Sequence, residues 1–156
     1  MTNIGLTPTQ LKGSASLLQT LLADEYILLV KTKKYHWNVT DKNFRDLHLF
    51  LDEQYEQINE MVDEIAERVR QLGQLVAATL DEFTQLARLK EPKKNGIKTQ
   101  EMLKNLLDDH EATIRNLRKD LETCEEKYND MGTNDFLTGL MQKHEKMAWM
   151  LRSFLS

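Results

Sequence analysis

The chain has 156 residues, 40% hydrophobic and 29% charged, with six glycines, two prolines and one cysteine, which is enough for one domain with its own core and too little for two. A net charge of −4 excludes bulk attraction to nucleic acid, and the lone Cys124 excludes an internal disulfide. No apolar run approaches the roughly twenty residues of a membrane span, so the composition is that of a helical protein outside the membrane.

The first helix is predicted from about residue 7 to about residue 36. Thr7 offers a side-chain cap, Pro8 suits the first helical position, Gln10 completes a capping box, and Leu11, Leu18, Leu22, Tyr26 and Leu29 keep one apolar stripe. Turn and cap residues follow from Asn38 to Asn43. Phe44, Leu47, Leu51, Tyr55, Ile58, Val62, Ile65, Val69 and Leu72 then sustain a three-four pattern that ends at Gly73, a second helix of about seven turns. A long connection runs from Gly73 to Thr99. It holds a short amphipathic piece over residues 79–89, then Glu91-Pro-Lys-Lys-Asn-Gly96, which cannot be regular helix. The third long helix is expected over about residues 100–127 on Leu103, Leu106, Leu107, Ile114, Leu117 and Leu121. The fourth is expected over about residues 135–154 on Phe136, Leu137, Leu140, Met141, Met147, Met150 and Leu151. Four long amphipathic helices with one long central connection predict an all-α, ferritin-like four-helix bundle whose connection crosses its length and carries a short extra helix.

His36, His48, Asp52, Asp63 and Glu67 fall within thirty-two positions. Imidazoles with several carboxylates suit a harder divalent transition metal such as iron, whereas a thiolate-rich set favours zinc or an iron-sulfur cluster. On a helix advancing about 100° per residue, His48 and Asp52 are one turn apart, as are Asp63 and Glu67. With His48 at zero, the four point to about 0°, 40°, 60° and 100°, so they share one face. That face lies roughly 120° from the apolar stripe and points away from the bundle core. Asp52 and Asp63 are about 16 Å apart along an unbroken helix, whereas carboxylate-metal bonds are about 2 Å long, so one chain cannot close the site. Two such helices crossing antiparallel about a two-fold axis bring the first pair of one chain to the second pair of the other, which predicts a homodimer with two identical sites. Ordinary ferritins build their di-iron site inside one bundle with Glu-x-x-His pairs, and no Glu-x-x-His occurs here.

Other chemistry-bearing residues have plainer readings. His110 and His144 fall on apolar stripes and are read as hydrogen-bonded core or interface histidines; Cys124 is read as a small buried hydrophobe, the seven methionines as core filling, and Trp37 as a packing residue. The start, Met1-Thr-Asn-Ile-Gly-Leu-Thr-Pro8, lacks the basic and apolar regions of a signal peptide, so a cytoplasmic protein is expected.

Tyr35-His-Trp-Asn-Val39, followed by Phe44, Leu47-His48, Leu51-Asp52 and Asp63-Glu-Ile-Ala-Glu-Arg68, resembles the signature of the Dps family of mini-ferritins, the DNA-binding proteins from starved cells. The short helix in the connection and the closing His144-Glu-Lys-Met-Ala-Trp-Met-Leu-Arg152 extend the likeness over nearly the whole chain. The resemblance implies a hollow homododecamer with ferroxidase di-iron sites at two-fold interfaces, with His36, His48 and Asp52 from one subunit and Asp63 and Glu67 from its partner. It also implies that ferrous iron is oxidised, preferably by hydrogen peroxide, and stored as ferric mineral, which protects against oxidative stress. Asp130 and Asp135 fall where the family places acidic iron pores, and inward-facing Glu56 and Glu60 could nucleate mineral.

The alternative reading is a nucleoid-coating protein whose shell serves mainly as scaffold. Family members that coat DNA usually extend a Lys/Arg-rich arm, because phosphate contacts give sequence-independent affinity. Here the first basic residue is Lys12, already inside the first predicted helix, and the sequence stops four residues after Arg152. Lys31, Lys33 and Lys34, or Lys90, Lys93, Lys94 and Lys98, could form surface patches, but in an acidic protein such lysines more often keep a helix face solvated. Weak or absent DNA binding is expected.

Overall fold

Side-chain caps open three of the five helices in the computed structural model, which describes residues 2–93 and 95–156. Helix α1 (Pro8–Asn38) opens on the expected box, in which Thr7 N–H donates to Gln10 Oε1 at 2.8 Å and Gln10 N–H donates to Thr7 Oγ1 at 3.4 Å. Helix α2 (Phe44–Gln71) stops just before Gly73, whose φ of 78° is left-handed. In the connection, α3 (Leu80–Leu86) starts on a second box made by Thr79 and Glu82. Helices α4 (Thr99–Glu126) and α5 (Met131–Leu155) complete the chain. No strand occurs among the described residues, and no helix is long and apolar enough to cross a membrane.

Helix α5 begins four residues before the expected position 135. Gly132, Thr133 and Asn134 look like turn by composition, but the Asp130 carboxylate accepts the Thr133 N–H at 3.0 Å and its hydroxyl at 2.7 Å, and this cap makes them helical. Asn129, at φ 50°, turns the chain into that cap.

Helix α1 packs chiefly on α2, and α4 on α5, so the bundle is two antiparallel hairpins. The connection passes along α1 from end to end. Gly73 lies beside Thr2, the Ala77 N–H donates to Gln19 Oε1 at 2.7 Å, Phe83 stacks on Tyr26 at 4.2 Å, and Thr99 donates to the Thr40 carbonyl at 3.1 Å. This is the predicted length-wise crossover. The core between the hairpins is apolar and tight: Leu18, Leu22, Leu28, Leu51, Ile58, Met61, Ile65 and Leu106 are at most 1% exposed. Met102, Met141 and Met147 fill gaps beside them, and Cys124 is buried, its thiol pushed up to about 11 by desolvation.

Two polar networks cross this core. Fully buried Asp24 accepts from the Arg88 and Leu89 backbone N–H groups at 2.6 and 3.0 Å and from Arg88 Nε at 2.7 Å, while the same guanidinium donates to Asp120 at 2.9 Å. One carboxylate on α1 thus fixes the end of the α3 segment and, through Arg88, α4. In the second network His110 and His144 meet at 2.9 Å between their Nδ1 atoms, and His144 Nε2 lies 2.9 Å from Oε1 of Glu25. All three are at most 1% exposed, which bears out the reading of both histidines as core groups. The His144–Glu25 contact is short but misaligned for a hydrogen bond, so its attraction is mainly electrostatic. With a proton on His144 Nε2 facing the carboxylate, Nδ1 of His144 accepts from Nδ1–H of His110. Burial, and then the neighbouring His144, hold His110 well below the ordinary imidazole range.

Removing one partner from a buried charge network leaves the others uncompensated, at a cost of about 3–5 kcal/mol. Asp24→Ala should therefore lower stability by about that amount in urea unfolding; a loss under about 1 kcal/mol would show that Asp24 is not the anchor described. His110 gives a pH dependence. The unfolded chain takes up a proton on it below its ordinary value of 6.5 while the folded chain does not. Stability is complete above that pH and falls as pH drops through it, by about 1.4 kcal/mol per pH unit, until the folded group protonates. His110→Gln should flatten this limb when unfolding midpoints at pH 7, 6 and 5 are compared, and an unchanged slope would contradict the assignment.

Candidate metal centre

The last turn of α1 and the first turns of α2 meet at two histidines. His36 Nδ1 lies 2.9 Å from the His48 carbonyl oxygen, and His48 Nδ1 lies 3.0 Å from the His36 carbonyl oxygen. A carbonyl only accepts, so each Nδ1 carries a proton, and in the neutral ring the lone pair is then on Nε2. The exchange also satisfies a carbonyl at the end of α1, and the rings stack at 3.8 Å with Phe44 on the far side of His48 at 5.0 Å. Two imidazoles are thus locked in the tautomer that a metal requires.

Asp52, one turn beyond His48, places Oδ1 3.9 Å from His36 Nε2, and its side chain is 43% exposed. Tyr55 donates its hydroxyl to that oxygen at 2.5 Å and sets its ring edge-on to His36, with centroids 5.2 Å apart. The bond to the Asp52 carboxylate pushes the Tyr55 hydroxyl up to about 12. Tyr55 entered the sequence analysis only as a member of the apolar stripe. Its position three residues after Asp52 on one helix was the available signal.

The structure brings together His36, His48 and Asp52, and it does not bring Asp63 and Glu67 to them. Those two are exposed further along the same α2 face, about 16 Å away by helical rise. Among the described residues, no three His, Cys, Asp or Glu side chains converge to hold an ion within one chain. The half-site opens to the surface amid exposed apolar groups: Trp37 is 70% exposed, Phe44 48% and Leu49 46%. Trp37 therefore does not pack within its own chain, contrary to expectation.

Asp130 is 3% exposed, caps α5 and lies 3.5 Å from Arg68, so its carboxylate is committed inside the fold rather than offered to a pore; Asp135, Glu56 and Glu60 are exposed. Lys31 is 6% exposed and paired with Asp109 at 2.5 Å, which removes it from any surface patch, and Lys33 lies over the Tyr55 ring at 4.9 Å. Lys90, Lys93 and Lys98 are exposed, and Lys94 lies outside the described residues.

A family model described as a ferritin-like domain matches residues 15–156. A low temperature-induced protein of Nostoc sp. is 51% identical over 98% of this chain and 86% of its own length. The DNA protection during starvation protein of Helicobacter pylori is 33% identical over 90% of this chain and 96% of its own. Among solved structures, DpsC from Streptomyces coelicolor superposes with a TM-score of 0.96 at 30% identity, covering 100% of this chain and 91% of that one. The bundle with its length-wise crossover, the histidine pair at the junction of α1 and α2 and these relatives agree with one another: the chain belongs to the Dps family of ferritin-like proteins.

Proposed function

We propose that this protein is a ferroxidase that stores iron: it oxidises ferrous iron with hydrogen peroxide and keeps the ferric product as mineral inside a hollow homododecamer, protecting the cytoplasm from oxidative stress. The observation that carries the reading is the reciprocal pair of Nδ1–H bonds, at 2.9 and 3.0 Å, which leaves both Nε2 atoms out of those bonds, with His36 Nε2 3.9 Å from the half-exposed Asp52. Membership of a ferritin-like family supports iron storage and stress protection in general terms. The finer assignment rests on the donor set. His36, His48 and Asp52 of one subunit and Asp63 and Glu67 of its two-fold partner would bind the substrate iron.

Two ferrous ions held together supply both electrons that one hydrogen peroxide needs to become two water molecules, taking up two protons, so no hydroxyl radical need escape. Carboxylates favour the ferric product over the ferrous reactant, which gives the oxidation its direction. The protein's part is to fix two imidazoles in the correct tautomer and to bring an acidic pair to them across a seam. The exposed apolar groups around the half-site, Trp37, Phe44 and Leu49, are what a subunit contact would cover.

Shared sites have a genetic signature. His48→Ala/Asp52→Ala and Asp63→Ala/Glu67→Ala proteins should each oxidise ferrous iron at least about tenfold more slowly than native protein. Co-assembled in equal amounts, they should regain about a quarter of the native rate, because half of the dimers are mixed and each mixed dimer has one intact site of two. No recovery above the separate variants would contradict sharing. The second expectation concerns DNA: at neutral pH and moderate salt, duplex DNA should run unshifted with this protein in a gel, and a clear shift would favour the scaffold reading instead.

A further inference from the structure

An exposed aspartate on a helix has several rotamers available, and a metal ligand that must be ordered on binding loses affinity. Asp52 is not left in that condition. The Tyr55 hydroxyl donates to its Oδ1 at 2.5 Å, a charge-assisted bond within one turn of α2. Tyr55 is itself held from the other helix, since His36 meets its ring at 5.2 Å and 77° and the Lys33 ammonium lies 4.9 Å from its centroid. The side chain is therefore a strut between α1 and α2 that touches a donor on each. Its hold also sets a spacing. Asp52 Oδ1 stays 3.9 Å from His36 Nε2, beyond hydrogen-bond reach, so neither donor group occupies the other, while Oδ2 has no hydrogen-bond partner among the described residues.

We propose that Tyr55 is a positioning residue of the centre: its hydroxyl presets Asp52 and its ring presets His36 before iron or the partner's carboxylates arrive. This rests on the reading of Asp52 and the two histidines as iron-binding groups. Tyr55→Phe keeps the ring against His36 and deletes only the hydroxyl, so its effect should fall on iron binding rather than on turnover or assembly.

The test is steady-state ferrous oxidation by the assembled protein, with gel filtration as the assembly control and cobalt(II) absorption of the loaded protein as an independent view of the ligands. Tyr55→Phe should raise KM for ferrous iron about tenfold, the lower end for groups that orient metal ligands, with kcat within about twofold and an altered cobalt(II) spectrum. Made in an Asp52→Ala background, the same change should have no further effect on KM, because the hydroxyl acts through that carboxylate. A native KM and cobalt(II) spectrum for Tyr55→Phe would overturn the role of Tyr55, and so would an equal loss with and without Asp52. If His48→Ala/Asp52→Ala also oxidised iron at the native rate, the reading of the centre would fall together with the proposal. If it were inactive while Tyr55→Phe behaved as native, only the proposal would fall.

Discussion

A straight α-helix is a rigid ruler, and everything distinctive about this chain depends on that. Helix α2 carries His48, Asp52, Asp63 and Glu67 on one face, and its rise keeps the two pairs about 16 Å apart. No side-chain rotamer closes such a gap, so the chain presents the two halves of the proposed binding set at different places. The half at the junction of α1 and α2 is prepared in detail, with both imidazoles donating Nδ1–H across to the other helix and Asp52 steadied by Tyr55. The half made of Asp63 and Glu67 is a plain exposed pair. A rigid, imidazole-rich receptor and an exposed acidic pair are a reasonable division of labour for the proposed site at a seam.

The polar groups inside the bundle have a different task. Asp24, Arg88 and Asp120 tie the end of the α3 segment to α1 and α4, and Glu25, His144 and His110 link α1 to the second hairpin. An apolar core alone would let the hairpins slide or the connection lift. Buried groups that pair only in one register oppose this, which is the best-attested use of such groups. Although the interior holds two histidines and a glutamate, their geometry is a chain of pairwise contacts rather than a converging set, and the proposed metal-binding face remains on the outside of α2.

What could be read from the sequence was whatever repeats along one helix. The three-four spacing located all four long helices, Thr7 and Gln10 announced the first cap, and the angular arithmetic put His48 and Asp52 on a face apart from the core. What could not be read depends on which residues of different helices meet. Nothing in the spacing shows that Lys31 finds Asp109 seventy-eight positions away, or that Asp130 is turned inward to cap α5 against Arg68. Tyr55 illustrates the limit best. Its apolar-stripe position was correct, but a phenol has a polar tip, and whether that tip matters depends on Asp52 and on His36 arriving from α1.

The central claim is that the binding set is completed by a second copy of the chain. Diffraction at the iron absorption edge, from crystals of the assembled protein loaded with ferrous iron without oxygen, tests it most directly. The account predicts anomalous density between His36, His48 and Asp52 of one subunit and Asp63 and Glu67 of another, with equal density at the symmetry-related position. Iron bound wholly by donors of one polypeptide, or found away from these five residues, would contradict it.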